Sequence, residues 1–140
     1  MTIGDISPTI LNYKGEEEFK DLQKFEVDFY KNADGLCPVT EFLNSLNDKM
    51  RAKVLRTIML LEQNGNDLHE PYSKYLGDGI FELRAKQGSD ITRVLYFFVV
   101  GHKIILTNGF VKKTQKIPKR EIDFAKKCRE DYLSDKENQL

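Results

Sequence analysis

The chain has 140 residues, enough for one domain with a real core, and its 22 Lys and Arg residues balance its 22 Asp and Glu residues. That balance conceals a polarity: residues 1–50 carry five Lys and Arg against ten Asp and Glu, whereas residues 84–129 carry twelve against three. The asymmetry excludes a uniformly basic coating protein and points to a local site for a polyanion.

Residues 1–22 read as an N-terminal extension, either disordered or forming a short helix around Glu16 to Leu22, and residues 23–133 as the folded domain. The start MTIGDISPTILNYKGEEE lacks the basic segment and apolar core of a secretory signal. Phe25-Glu26-Val27-Asp28-Phe29-Tyr30 alternates at period two and predicts a first or edge strand, ended by Asn32-Ala33-Asp34-Gly35. Pro38 stands where a first-turn proline belongs, with Val39, Phe42, Leu43 and Leu46 on one face of a short helix. Asn47 then serves as the N-cap of a longer helix carrying Met50, Val54, Leu55, Ile58 and Leu61, which Gln63-Asn64-Gly65 stops. The two make a helical hairpin.

Three β-branched and aromatic runs follow, Ile80-Leu83, Ile91-Val100 and Lys103-Val111, separated by turn residues around Gly88 and at Gly101-His102. They predict an antiparallel meander. A first turn within Lys86 to Asp90 sets Arg84 opposite Arg93, and a second at Gly101-His102 sets Arg93 opposite Phe110. Lys112 and Lys113 then emerge at the same end as the arginines, with Asp90 as the only nearby carboxylate. Like charges facing each other across strands are destabilising, so the pair implies a bound anion. A last helix from about Pro118 places Ile117, Glu121, Phe124, Ala125, Cys128 and Tyr132 on one stripe, and residues 134–140 form a polar tail. The order is βααβββα, an α+β domain.

Candidate chemistry narrows quickly. His69 and His102 are far apart in loop-like contexts, and the basic region offers few oxygen ligands, so neither metal nor histidine catalysis is expected. There is no phosphate-binding glycine loop, dinucleotide motif or nucleophile elbow, and no cofactor is expected. Cys37 and Cys128 match no metal or redox spacing and read as reduced, buried thiols. The longest apolar run, Val94 to Val100, is too short to span a bilayer, so the expectation is a soluble cytoplasmic protein without a membrane partner. What remains is Lys and Arg. Arginine holds a phosphate bidentately, and a lysine among other cations can act as a general base. By charge pattern alone, however, Arg84, Arg93, Lys112, Lys113, Lys116 and Lys119 read more economically as a solvated basic face. Tyr96, Phe97 and Phe98 belong to the core by the same reasoning, and Tyr132 is either a packing residue or one that approaches a ligand.

The succession FELR, TRVLYFF, ILTNGFVKKTQKIP and REIDFAKKCREDY resembles the HigB-like branch of the RelE/ParE toxin superfamily, the toxins of type II toxin-antitoxin pairs and their phage-derived relatives. The matching positions are Leu83-Arg84, Arg93 before Val94-Leu95-Tyr96-Phe97, Phe110-Val111-Lys112-Lys113 and Pro118. The resemblance implies a RelE-like single domain and a toxin that cleaves mRNA in the ribosomal A site without metal. Arg84, Arg93, Lys112 and Lys113 would be its catalytic residues, and Lys116, Lys119 and Arg120 would contact RNA. It also implies a HigA-like helix-turn-helix antitoxin, held in a hetero-oligomeric complex, with ribosome and mRNA as further partners. Two alternatives stay open: a ParE-like inhibitor of DNA gyrase, and an inert relative whose basic groove only docks an antitoxin.

Overall fold

The computed structural model describes residues 25–112 and 116–135. The N-terminal extension, Lys113 and nearly all of the C-terminal tail lie outside the described residues.

The chain order is β1 (Glu26–Phe29), α1 (Pro38–Ser45), α2 (Asp48–Asn64), β2 (Ser73–Gly77), β3 (Ile80–Gln87), β4 (Asp90–Val99), β5 (Lys103–Lys112) and α3 (Lys119–Ser134). Among the described residues, one sheet contains all five strands in the order β1-β5-β4-β3-β2. The expected antiparallel meander is β3-β4-β5, and both proposed registers hold: Arg84 pairs with Arg93, and Arg93 with Phe110. The sheet as a whole is mixed, because β1 runs parallel to β5 at its edge.

β2 was not legible as a strand. Its sequence SKYLG shows no apolar alternation, and its burial is confined largely to Ser73, whose hydroxyl meets that of Tyr96 in the interior. Pairing to β3 makes it a strand, and the Asp78-Gly79 turn, with both residues at positive φ, fits the right-handed twist that a two-residue hairpin needs.

The helical hairpin forms as its sequence predicts. Asn47 Oδ1 accepts a hydrogen bond from the Met50 N–H at 2.8 Å, satisfying one of the free donors of α2. Arg51 reaches back from α2, donating to the carbonyls of Leu43 and Leu46, so a cation closes the C-terminal end of α1. Val39, Leu43, Met50, Val54, Ile58 and Leu61 pack on one face of the sheet against Leu83, Val94, Tyr96, Ile104 and Leu106. The opposite face, with Ile80, Leu95, Phe97 and Ile105, receives Ala125, Cys128 and Tyr132 of α3. Helices on both faces explain why β4 is apolar on both sides. Leu55 and Phe124, expected on the buried stripes, are each 43% exposed, since each is rotated about 100° from a buried neighbour, Val54 or Ala125. Tyr132 is a packing residue, edge-on to Phe97.

Candidate functional site

The strand alternation places Ile80, Glu82 and Arg84 of β3 on one face, and the register sets them beside Arg93 and Leu95 of β4 and Asn108, Phe110 and Lys112 of β5. This face carries α3 over its centre. Toward the β3–β4 turn it leaves the cations at the end of the sheet.

Glu82 organises them. Its carboxylate is 1% exposed, with Oε2 2.9 Å from Arg84 Nε and Oε1 2.7 Å from Arg93 Nε. Arg93 is itself 5% exposed, and its contact with Glu82 is an ion pair whose angle falls short of a linear hydrogen bond: both atoms are buried and, among the described residues, without another hydrogen-bond partner. Burial holds the Arg93 guanidinium below its usual pKa, and Arg84 pushes the same way against the pull of Glu82. A buried carboxylate between two guanidiniums is costly to remove from water, and each member depends on the others for compensation.

This corrects the expectation drawn from the sequence. Asp90 is not the carboxylate of the cluster, and Arg84 and Arg93 do not face each other uncompensated. The residue that was missed had a signal: in Ile80-Phe81-Glu82-Leu83, a glutamate interrupts an apolar run two positions before Arg84, which places both on one face of the strand. Lys74 was missed as well. It pairs with Glu82 across β2–β3 and adds to the positive field around Lys112.

Lys112 pairs with Ile91, two residues before Arg93 on the same face. Partial burial, then the charges of Arg93, Arg84 and Lys74, hold its ammonium below the ordinary lysine pKa, opposed by Glu82. A cavity of about 620 Å³ opens beside the β3–β4 turn, lined by Arg84, Arg93, Lys86, Tyr72 and Lys53 among others. Lys112 does not line it.

A family comparison bears on what such a face is for. The family model of the phage-derived protein Gp49-like (DUF891) matches residues 41–130, well over half of the chain. The chain belongs to the Gp49-like family. This is a RelE-related, toxin-like family, and its match runs from α1 into α3, taking in every described member of the cationic cluster. No curated protein matches the chain.

The other anticipated contacts of this Gp49-like protein are spread along the approach to α3. Lys119 forms an exposed ion pair with Asp123 at 2.9 Å, and Arg120 stands 3.9 Å from Glu121. Lys116 is exposed and engaged in an interaction of its own. Buried Asn108 ties this helix start to β5, its amide nitrogen reaching the Glu121 carboxylate at 3.1 Å. Among the described residues, no group of three or more His, Cys, Asp or Glu side chains comes together as a metal would require. Cys37 and Cys128 are free thiols; Cys128 is buried, which pushes its thiol up to about 12, whereas Cys37 is only half-buried. No helix among the described residues is long and apolar enough to cross a membrane.

Proposed function

We propose that this Gp49-like protein is a HigB-like toxin, a ribosome-dependent endoribonuclease that cleaves translated mRNA in the A site without a metal. The observation that carries the reading is the arrangement of Arg84 and Arg93, cross-strand partners lining one cavity, with Lys112 on the same face. Cations gathered around a cavity suit a phosphodiester, and their fixed geometry suits a transition state that gains negative charge.

In this mechanism neutral Lys112 removes the proton from a ribose 2′-hydroxyl, and the oxygen attacks the adjacent phosphorus. Arg84 stabilises the charge that builds on the phosphorane, while Arg93, held by Glu82, supplies its field from beneath. Lys113 or another basic group protonates the departing 5′-oxygen, leaving a 2′,3′-cyclic phosphate and a 5′-hydroxyl. Lys116, Lys119 and Arg120 contact flanking phosphates. The ribosome orients the mRNA, which matters most for a site without a strong acid-base pair. A HigA-like helix-turn-helix antitoxin neutralises the toxin in a cytoplasmic hetero-oligomer.

One observation favours a second reading, the inert relative that only docks an antitoxin: Glu82 already engages both arginines, so part of their charge serves the fold. In-vitro translation followed by primer extension separates the two. Codon-registered cuts that disappear in Arg84→Ala support the nuclease. An uncut message with intact antitoxin binding supports the inert relative, and gyrase inhibition in a supercoiling assay supports a ParE-like activity.

A further inference from the structure

The cavity beside Arg84 continues into a second one of about 350 Å³ along α2, and the two share Lys53, Thr57 and Tyr72. Arg56 and Met59 line the second. Among the described residues no carboxylate lines either cavity, so the groove is cationic along its length.

Tyr72 stands at the junction, 45% exposed. The other four tyrosines among the described residues use their side chains: Tyr30 donates to Asp131, Tyr75 accepts from the Gly79 N–H, Tyr96 meets Ser73, and Tyr132 packs edge-on against Phe97. Among the described residues Tyr72 has no such contact for its ring or hydroxyl. Its backbone is nonetheless fixed, because its carbonyl accepts the Arg84 N–H at 2.8 Å and its own N–H donates to His69. An open aromatic face is thus anchored beside Arg84 at the head of a basic groove. Those are the two elements of a single-strand nucleic-acid track, a stacking surface and a line of cations.

We propose that Tyr72 is a base-stacking platform and that the α2 groove, through Lys53 and Arg56, holds the single-stranded RNA flanking the cleaved bond. The proposal rests on the nuclease reading of the cavity and adds the path of the substrate. A nucleotide whose phosphate lies on Arg84 sets its neighbouring base over Tyr72, and the next phosphates run along α2. Tyr72 is a positioning residue, acting on where the chain lies and not on the reacting atoms.

The chain contains no tryptophan, so Tyr72→Trp installs a unique reporter. A 2′-O-methyl hexanucleotide, which lacks the attacking hydroxyl, serves as an uncleavable probe. It should quench the indole of Tyr72→Trp saturably and more weakly as salt rises, and a poly-glutamate peptide should not. In anisotropy titrations with the labelled hexanucleotide, Tyr72→Phe should bind like the wild type, whereas Tyr72→Leu should lose roughly 5- to 150-fold, the range of one lost stacked base. Lys53→Ala and Arg56→Ala should each flatten the log–log salt slope by about 0.7. If Arg84→Ala weakens binding while Tyr72→Leu does not, the platform is wrong and the nuclease reading survives. A hexanucleotide that fails to bind the wild type, or that binds Arg84→Ala unchanged, removes the groove as an RNA track, while the ribosome-dependent cuts of the translation assay decide the nuclease reading separately. Poly-glutamate binding that depends on Lys53, without RNA binding, would make the groove a protein-docking surface and overturn the proposal. Thermal melting of each folded variant guards against reading a stability loss as a binding loss.

Discussion

Removing Arg93 tests the buried triad most sharply. Considered as facing cations alone, Arg84 and Arg93 would repel, and Arg93→Ala would leave stability unchanged or raise it. Glu82 reverses that sign. With its carboxylate 1% exposed and Arg93 5% exposed, truncation leaves a buried negative charge whose one remaining ion pair among the described residues is with Arg84, itself 24% exposed. Breaking one side of a buried pair costs about 3–5 kcal/mol. For a chain of 140 residues, an unfolding entropy of about 2.1 cal/mol/K per residue makes that a fall in Tm of roughly 10–17 °C. Arg93→Met keeps much of the side-chain volume and isolates the charge effect. The double variant Glu82→Leu/Arg93→Met replaces both members with apolar groups and should recover most of the lost stability, since whole buried pairs exchange for hydrophobic residues at little cost. Calorimetry or circular-dichroism melting reads all three proteins. If Arg93→Met melts within about 2 °C of wild type, Glu82 does not depend on Arg93 for its compensation. If stability returns in the double variant but mRNA cleavage does not, the cluster acts in catalysis beyond its part in the fold.

Four further outcomes are expected. Lys112→Ala should reduce cleavage by about 100-fold or more with little change in Tm. If Lys112 is the proposed base, it must be neutral to act, and since its pKa is lowered, wild-type activity should rise with pH and level off below the ordinary lysine range, a limb that single-turnover pH profiles should show vanish in Lys112→Ala. Gly109→Ala sets a Cβ against the Phe42 ring that docks α1 on β5, so chemical denaturation should show a loss of about 1–3 kcal/mol, partly relieved by adding Phe42→Leu. In a thiol titration without reductant, Cys37 should react in the native protein and Cys128 only on unfolding, with two thiols counted in denaturant; fewer would mean a disulfide.

Much of the fold could be read along the chain because its determinants are local. Pro38 and Asn47 mark helix starts, and Asn64-Gly65 ends α2. The turns at Gly88-Ser89 and Gly101-His102 fix a register that puts Arg84 opposite Arg93 and carries Lys112 to the same end. Alternation at period two and recurrence at three to four are properties of one segment, and they survive without knowledge of its neighbours. Three things waited for the tertiary structure. β2 exists because β3 offers it an unpaired edge, so its own composition carried almost no signal. The parallel placement of β1 beside β5 joins segments more than seventy residues apart, a pairing that no local pattern encodes. The meaning of the arginine pair depended on where one carboxylate is buried. Charge along a sequence is counted, but whether two guanidiniums repel or share a counterion is decided by angstroms and by the absence of water, and Glu82 meets both only once β3 and β4 are paired.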